Sequence, residues 1–126
     1  MDETKKDRQV LVVDDHPKVL RFIEIDLKLH GFQVKTVTSG AEALKLVKSM
    51  NPDIVLLDIV MPEMDGLEVL RQLREFSRVP VIAFSASPGN HADAIRLGAN
   101  DFMTKPFYPD DMVSKINTLL DERGNR

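Results

Sequence analysis

Short apolar runs alternate with helix-patterned segments five times along this chain of 126 residues, and that alternation leaves few folds open. The runs are "VLVVDD" from Val10, "FQVKTVT" from Phe32, "DIVLLD" from Asp53, "VPVIAFS" from Val79 and "NDFMTK" from Asn100. Runs of this length and β-branched character read as strands, mostly buried on both faces. "FQVKTVT" alternates apolar and polar residues instead, which predicts one wetter face.

Between the runs lie helix signals. Pro17 suits a first helical turn and Gly31 a helix end. Inside that segment Ile25, Leu27 and Leu29 alternate as a strand would, but the Pro and Gly punctuation decides for a helix. Ser39 with Glu42 forms a capping box that opens a helix through Met50, and Asp65 with Glu68 resembles a second one. Ala43, Val47 and Met50 share one face, and Leu67, Leu70 and Leu73 stripe the next helix. His91 to Leu97 reads as a helix ended by Gly98. Pro109 begins a last helix whose apolar face carries Met112, Val113, Ile116, Leu119 and Leu120.

Apolar strands separated by helices require a parallel sheet covered on both sides, a doubly wound α/β domain. Residues 1–8 read as a flexible N-terminal arm, 9–122 as the domain and 123–126 as a C-terminal tail. The 17 Lys and Arg against 20 Asp and Glu leave a net charge of −3, without the basic footprint of nucleic-acid or anionic-membrane binding. There is no cysteine, which removes disulfides and thiolate metal sites. No apolar run approaches the roughly 18 residues of a membrane span. The polar start "MDETKKDRQ" lacks a signal-peptide core, so a cytoplasmic setting is expected.

In doubly wound sheets, ligands bind beyond the carboxyl ends of the strands. Asp14 and Asp15 end the first run, Asp58 the third and Ser85 the fourth, and Lys105 closes the fifth. If the first and third strands are neighbours, three carboxylates converge, and they repel unless a cation intervenes. Oxygen ligands alone favour a hard divalent ion, Mg²⁺ beside phosphate. Lys105 and the Ser85 hydroxyl supply a positive charge and a hydrogen-bond donor, the parts that hold a phosphoryl group through its transition state.

With "VVDDH", "LLDIVMPEMDG", "AFSA" and "MTKPF" in order on one βα frame, the chain resembles the receiver domains of two-component response regulators (CheY-like), from about Val10 to Leu120. The resemblance implies a flavodoxin-like, five-stranded parallel sheet of order 2-1-3-4-5 with five helices. It makes Asp58 the phosphoryl acceptor, with Asp14, Asp15, Asp58 and the Val60 carbonyl holding Mg²⁺, Asp15 directly and Asp14 partly through water. Lys105 would contact the phosphate. Ser85 would rotate toward it, and an inward turn of Phe102 would accompany activation. The Lys105–Pro106 bond matches one that is cis in the family.

The implied partners are a histidine kinase or phosphotransfer protein and a downstream target or output domain, with no direct nucleic-acid or membrane binding. No output domain follows the last helix in this chain, so it acts alone or as part of a longer protein. The implied activity is self-catalysed phosphorylation and dephosphorylation of a switch, without turnover of a small-molecule substrate. Family members that pair through the last two helices and fifth strand often carry an Arg and trailing basic pairs on the last helix, where this chain has Lys115, Asp121 and Glu122, a departure that puts that pairing in doubt.

Blander readings stand beside these. Asp14 and Asp15 also suit a helix cap, Lys105 a solvated surface and Phe102 the core. Met61 and Met64 beside Pro62 read as a loop over the site. His16, His30 and His91 lack a paired metal spacing and read as surface or cap residues, with His16 placed to modulate the acidic cluster. A Mg²⁺-dependent phosphatase would want a second Asp where Val60 stands. A flavodoxin-like cofactor site would want a Ser-, Thr- or Gly-rich loop where "DDHPK" stands. A degenerate receiver used only for docking would have lost some of the site positions, which are all present here.

Overall fold

The computed structural model describes residues 8–61 and 65–124. Its elements run β1 (Gln9–Val13), α1 (Pro17–Leu29), β2 (Gln33–Val37), α2 (Gly40–Met50), β3 (Ile54–Asp58), α3 (Gly66–Leu73), β4 (Val81–Ser85), α4 (Asn90–Arg96), β5 (Asp101–Thr104) and α5 (Pro109–Gly124). The strands form one parallel sheet of order β2-β1-β3-β4-β5, as the resemblance implies.

Successive strand side chains point to opposite faces, so each buried strand feeds two cores. Val10, Val12, Ile54, Leu56, Ile82, Phe84 and Met103 pack with Leu20, Ile23 and Leu27 of α1 and Met112, Ile116 and Leu120 of α5. Leu11, Val13, Val55, Leu57, Val81 and Ala83 pack on the other face, under α2, α3 and α4. The β3 and β4 residues are all buried, which explains their unbroken apolar runs, whereas the edge strand β2 alternates in exposure. The alternation of Ile25, Leu27 and Leu29 has a plain outcome: Leu27 is buried, and the other two lie exposed on the outer face of α1.

The helix starts follow the local chemistry. Ser39 Oγ accepts from the Glu42 N–H at 3.2 Å and Asp65 Oδ1 from the Glu68 N–H at 2.8 Å, and Pro17 begins α1. Gly31 and Gly98 adopt positive φ beyond α1 and α4, where other residues are strained. Gly66 answers a different demand. A Cβ there would collide with the Asp58 carbonyl oxygen and Ile59 Cα, because α3 starts directly against the end of β3.

Arg74, at the end of α3, reaches across to the α4–β5 turn. Its Nε and Nη2 donate to the Gly98 carbonyl at 3.0 and 2.8 Å, Nη1 to the Ser77 carbonyl at 3.1 Å, and Nη2 to Asn100 Oδ1 at 3.1 Å. Arg74→Ala is expected to lower stability by about 2 kcal/mol, since it strips charge-assisted bonds from half-buried carbonyls. The urea midpoint measures this. Arg74→Lys should recover little of the loss, because an ammonium lacks the planar fork. Among the described residues no helix is long and apolar enough to cross a membrane.

Candidate functional site

The parallel register brings the carboxyl ends of β1, β3, β4 and β5 to one edge. Val13 pairs with Leu57, Asp58 with Phe84, and Ser85 with Thr104. The residues just beyond continue the ladder: the Asp14 N–H donates to the Val37 carbonyl at 3.2 Å, and the Lys105 N–H to the Ser85 carbonyl at 2.8 Å. Asp14, Asp58 and Ser85 are the buried polar side chains among the described residues, and all three lie at this edge.

Lys105 ties the carboxylates together. Its Nζ lies 3.2 Å from Asp14 Oδ2 and 3.5 Å from Asp58 Oδ2, and it also sits 5.1 Å from the centre of the Phe84 ring. Asp14 Oδ1 accepts from the His16 N–H at 2.9 Å, and Asp58 Oδ1 from the Val60 N–H at 3.1 Å. These bonds do not offset the burial of Asp58. The Asp58 carboxyl is pushed up to about 6, by burial first and by Asp14 second, against the opposing pull of Lys105 and the Val60 N–H.

The charge that is missing suggests a cation. One ligand atom from each of Asp14, Asp15, His16 and Asp58 lies within 4.8 Å of the others. Asp15 Oδ1 is buried without a hydrogen-bond partner, although His16 Nδ1 stands 3.2 Å away as an ion-pair neighbour. A buried orphan carboxylate oxygen beside two further carboxylates fits a hard divalent ion.

The remaining residues singled out from the sequence are placed as follows. Ser85 Oγ accepts from the Ser87 N–H at 3.0 Å and from Asn90 Nδ2 at 3.1 Å, toward the start of α4. Phe102 is buried, and His91 stacks on it at 4.9 Å with the rings 6° from parallel. The Lys105–Pro106 bond is cis. Lys115 bonds Asp101 of the same chain at 3.0 Å. His30 Nδ1 lies 2.9 Å from the Asp26 carbonyl oxygen at the end of α1, a cap role. The loop reading for Pro62 and Met64 lies outside the described residues.

His16 lies beside the acidic cluster, as its place directly after Asp15 suggests. It occupies the N-cap position of α1 without a side-chain cap bond and instead turns its ring toward Asp14 and Asp15. Asn90 and Arg74 belong to no motif, and nothing in the sequence marked them.

A 2-1-3-4-5 sheet with an acidic cluster and a half-buried lysine at its carboxyl ends defines the CheY-like class of signalling domains. The chain belongs to the response regulator receiver domain family, whose family model matches residues 10–117. It is 40% identical over 113 residues to the transcriptional regulatory protein KdpE of Mycobacterium tuberculosis, covering 88% of this chain and 50% of that protein. The chain thus spans about half the length of the curated relatives it matches. Among solved structures, the receiver domain of the Francisella response regulator 1452 superposes with a TM-score of 0.87 at 33% identity, over 93% of this chain and 99% of that one. The BeF3-activated N-terminal receiver domain of Klebsiella pneumoniae RstA gives 0.85 at 29% identity, over 90% and 98%.

Proposed function

We propose that Asp58 accepts a phosphoryl group from a histidine kinase or phosphotransfer protein, and that the modified domain changes its affinity for a target or output domain. The observation that carries this reading is the placement of Lys105 Nζ between Asp14 and Asp58, 3.2 and 3.5 Å from their carboxylates. An Asp58 oxygen attacks phosphorus in line with the donor's P–N bond. The new O–P bond forms as the P–N bond breaks, and the imidazole leaves with the electron pair. Lys105 balances negative charge on the phosphoryl oxygens, and the Ser85 hydroxyl turns to donate to one of them. Phe102 follows as part of the switch.

Asp14, Asp15, Asp58 and the Val60 carbonyl would hold Mg²⁺, and that ion would supply positive charge to carboxylates and phosphoryl oxygens that otherwise repel. Residues 9–122 form the receiver unit in this reading, between an N-terminal arm and a C-terminal tail, and the setting is cytoplasmic. The repeated description of longer relatives as transcriptional regulatory proteins supports an output domain as the natural target. The exposed, apolar Val60 side chain occupies the place where a phosphatase would need its second acid, so turnover of small phosphate esters is not favoured.

The test uses acetyl phosphate as a small donor. With Mg²⁺, intact-mass spectrometry should show one added phosphoryl group, mapped by peptide analysis to the β3 segment, and EDTA should suppress it. Efficient metal-free uptake, or a label elsewhere in the chain, contradicts the assignment.

A further inference from the structure

Resting on the reading of Asp58 and Ser85 above, we propose that Asn90 is a positioning residue for Ser85. Its side-chain amide holds the Ser85 hydroxyl in the resting orientation and ties the first turn of α4 to the end of β4. Turning Ser85 toward a phosphoryl group on Asp58 then releases that turn.

The Ser85 side chain is buried, and its oxygen accepts two bonds, from the Ser87 N–H at 3.0 Å and Asn90 Nδ2 at 3.1 Å. A hydroxyl has two lone pairs and a single hydrogen, so both acceptor sites are committed toward α4. Staggered wells separate the rotamers of Ser85, and moving Oγ to another well takes it away from both donors. The Ser87 N–H belongs to an exposed loop residue and Asn90 is half-buried, so water can replace Ser85 at each.

The start of α4 is otherwise held by the His91–Phe102 stack and by two backbone bonds, from the Asn90 N–H to the Ser87 carbonyl and from the His91 N–H to the Pro88 carbonyl, both 3.1 Å. Gly89, at its N-cap, offers no side-chain cap, and among the α4 residues only Ala94 is buried. The far end is held firmly, because Arg74 grips the Gly98 carbonyl from two nitrogens. Released at Asn90 and clamped at Gly98, α4 pivots about its C-terminal end. The neighbouring His91 ring covers Phe102, so movement of the first turn also uncovers that aromatic. One amide thus links the two proposed switch residues.

The experiment is a titration with beryllofluoride, a mimic of the aspartyl phosphate, in the presence of Mg²⁺. It compares the wild-type chain, Asn90→Ala, Ser85→Ala and the double variant. Asn90→Ala is expected to bind about fivefold tighter than wild type, the ratio set by losing one neutral hydrogen bond of about 1 kcal/mol in the resting state. In the Ser85→Ala background the same change should have no effect, and the cycle cancels any change in helix propensity. Amide exchange over residues 87–92 of the unmodified chain should quicken in Asn90→Ala while β3 stays protected. If wild type binds and Asn90→Ala binds equally well, or gains equally in both backgrounds, the tether is overturned and the acceptor reading stands. If wild type binds no beryllofluoride, the acceptor reading falls and the tether's role with it.

Discussion

Replacing Asp58 by Asn is expected to abolish phosphoryl uptake and, in metal-free protein near pH 7.5, to raise stability by about 2–3 kcal/mol. The two effects have one cause, a carboxylate placed where its charge is useful for chemistry and costly for folding. Burial and the neighbouring Asp14 push the Asp58 carboxyl from 3.8 in the unfolded chain up to about 6. Below about pH 4 it is protonated in both states and contributes no penalty. Between about 4 and 6 the unfolded chain releases its proton while the folded chain retains it, so stability falls as pH rises through that window. Above it the penalty is complete. The Asp58→Asn variant carries no such charge, so the gap between it and wild type should open from about pH 4 to 6 and stay level beyond.

Asp14→Asn should also stabilise the metal-free fold by relieving the same repulsion, as should Asp15→Asn if its orphan oxygen shares the cluster. Mg²⁺ should reverse the order, since it stabilises only a folded state that binds it. Melting curves in EDTA and in Mg²⁺ at several pH values measure all of this. Equal midpoints for wild type and Asp58→Asn at pH 7.5, with no pH-dependent gap, would mean that Asp58 bears no net electrostatic penalty.

The second large effect concerns how long a phosphoryl group stays on Asp58. Hydrolysis needs a water held in line with phosphorus by nearby polar groups. Two exposed residues stand beside the proposed acceptor and Ser85: Val60, whose N–H bonds Asp58 Oδ1, and Ser87, whose N–H bonds Ser85 Oγ. The Val60 side chain cannot orient a water, and the Ser87 side chain is short. The phosphorylated protein is therefore expected to persist for minutes or longer. Val60→Asn combined with Ser87→Glu should speed loss at least about tenfold, roughly 1.4 kcal/mol of barrier. Phosphate release from purified phosphoprotein at saturating Mg²⁺ gives both rates. Wild-type decay within seconds, or an unchanged rate in the double variant, would show that these two positions do not limit water.

Much of this architecture was legible in one dimension. Helix starts at Pro17, Ser39 and Asp65 and the helix-ending glycines at 31 and 98 depend on bonds and φ values within a few residues, so local sequence determines them. The buried strands announced themselves because burial on both faces demands an unbroken apolar run, and the carboxylates stood out against those runs. The order of the strands was carried by resemblance, since periodicity says which face is apolar and nothing about which strand lies beside it.

The partnerships arise from the packing of separate elements. Lys105 meets Asp14 across a separation of 91 residues because β1 and β3 are neighbours and β5 closes the same edge. Arg74 grips Gly98 and Asn90 bonds Ser85, and no motif encodes either contact. Each depends on the approach of two elements, and many sequences of the same pattern could place another residue there. The alternation of elements and the chemistry at their ends follow from local residues; which of those ends meet does not, because contacts between distant segments depend on sheet order and register, which no local pattern contains.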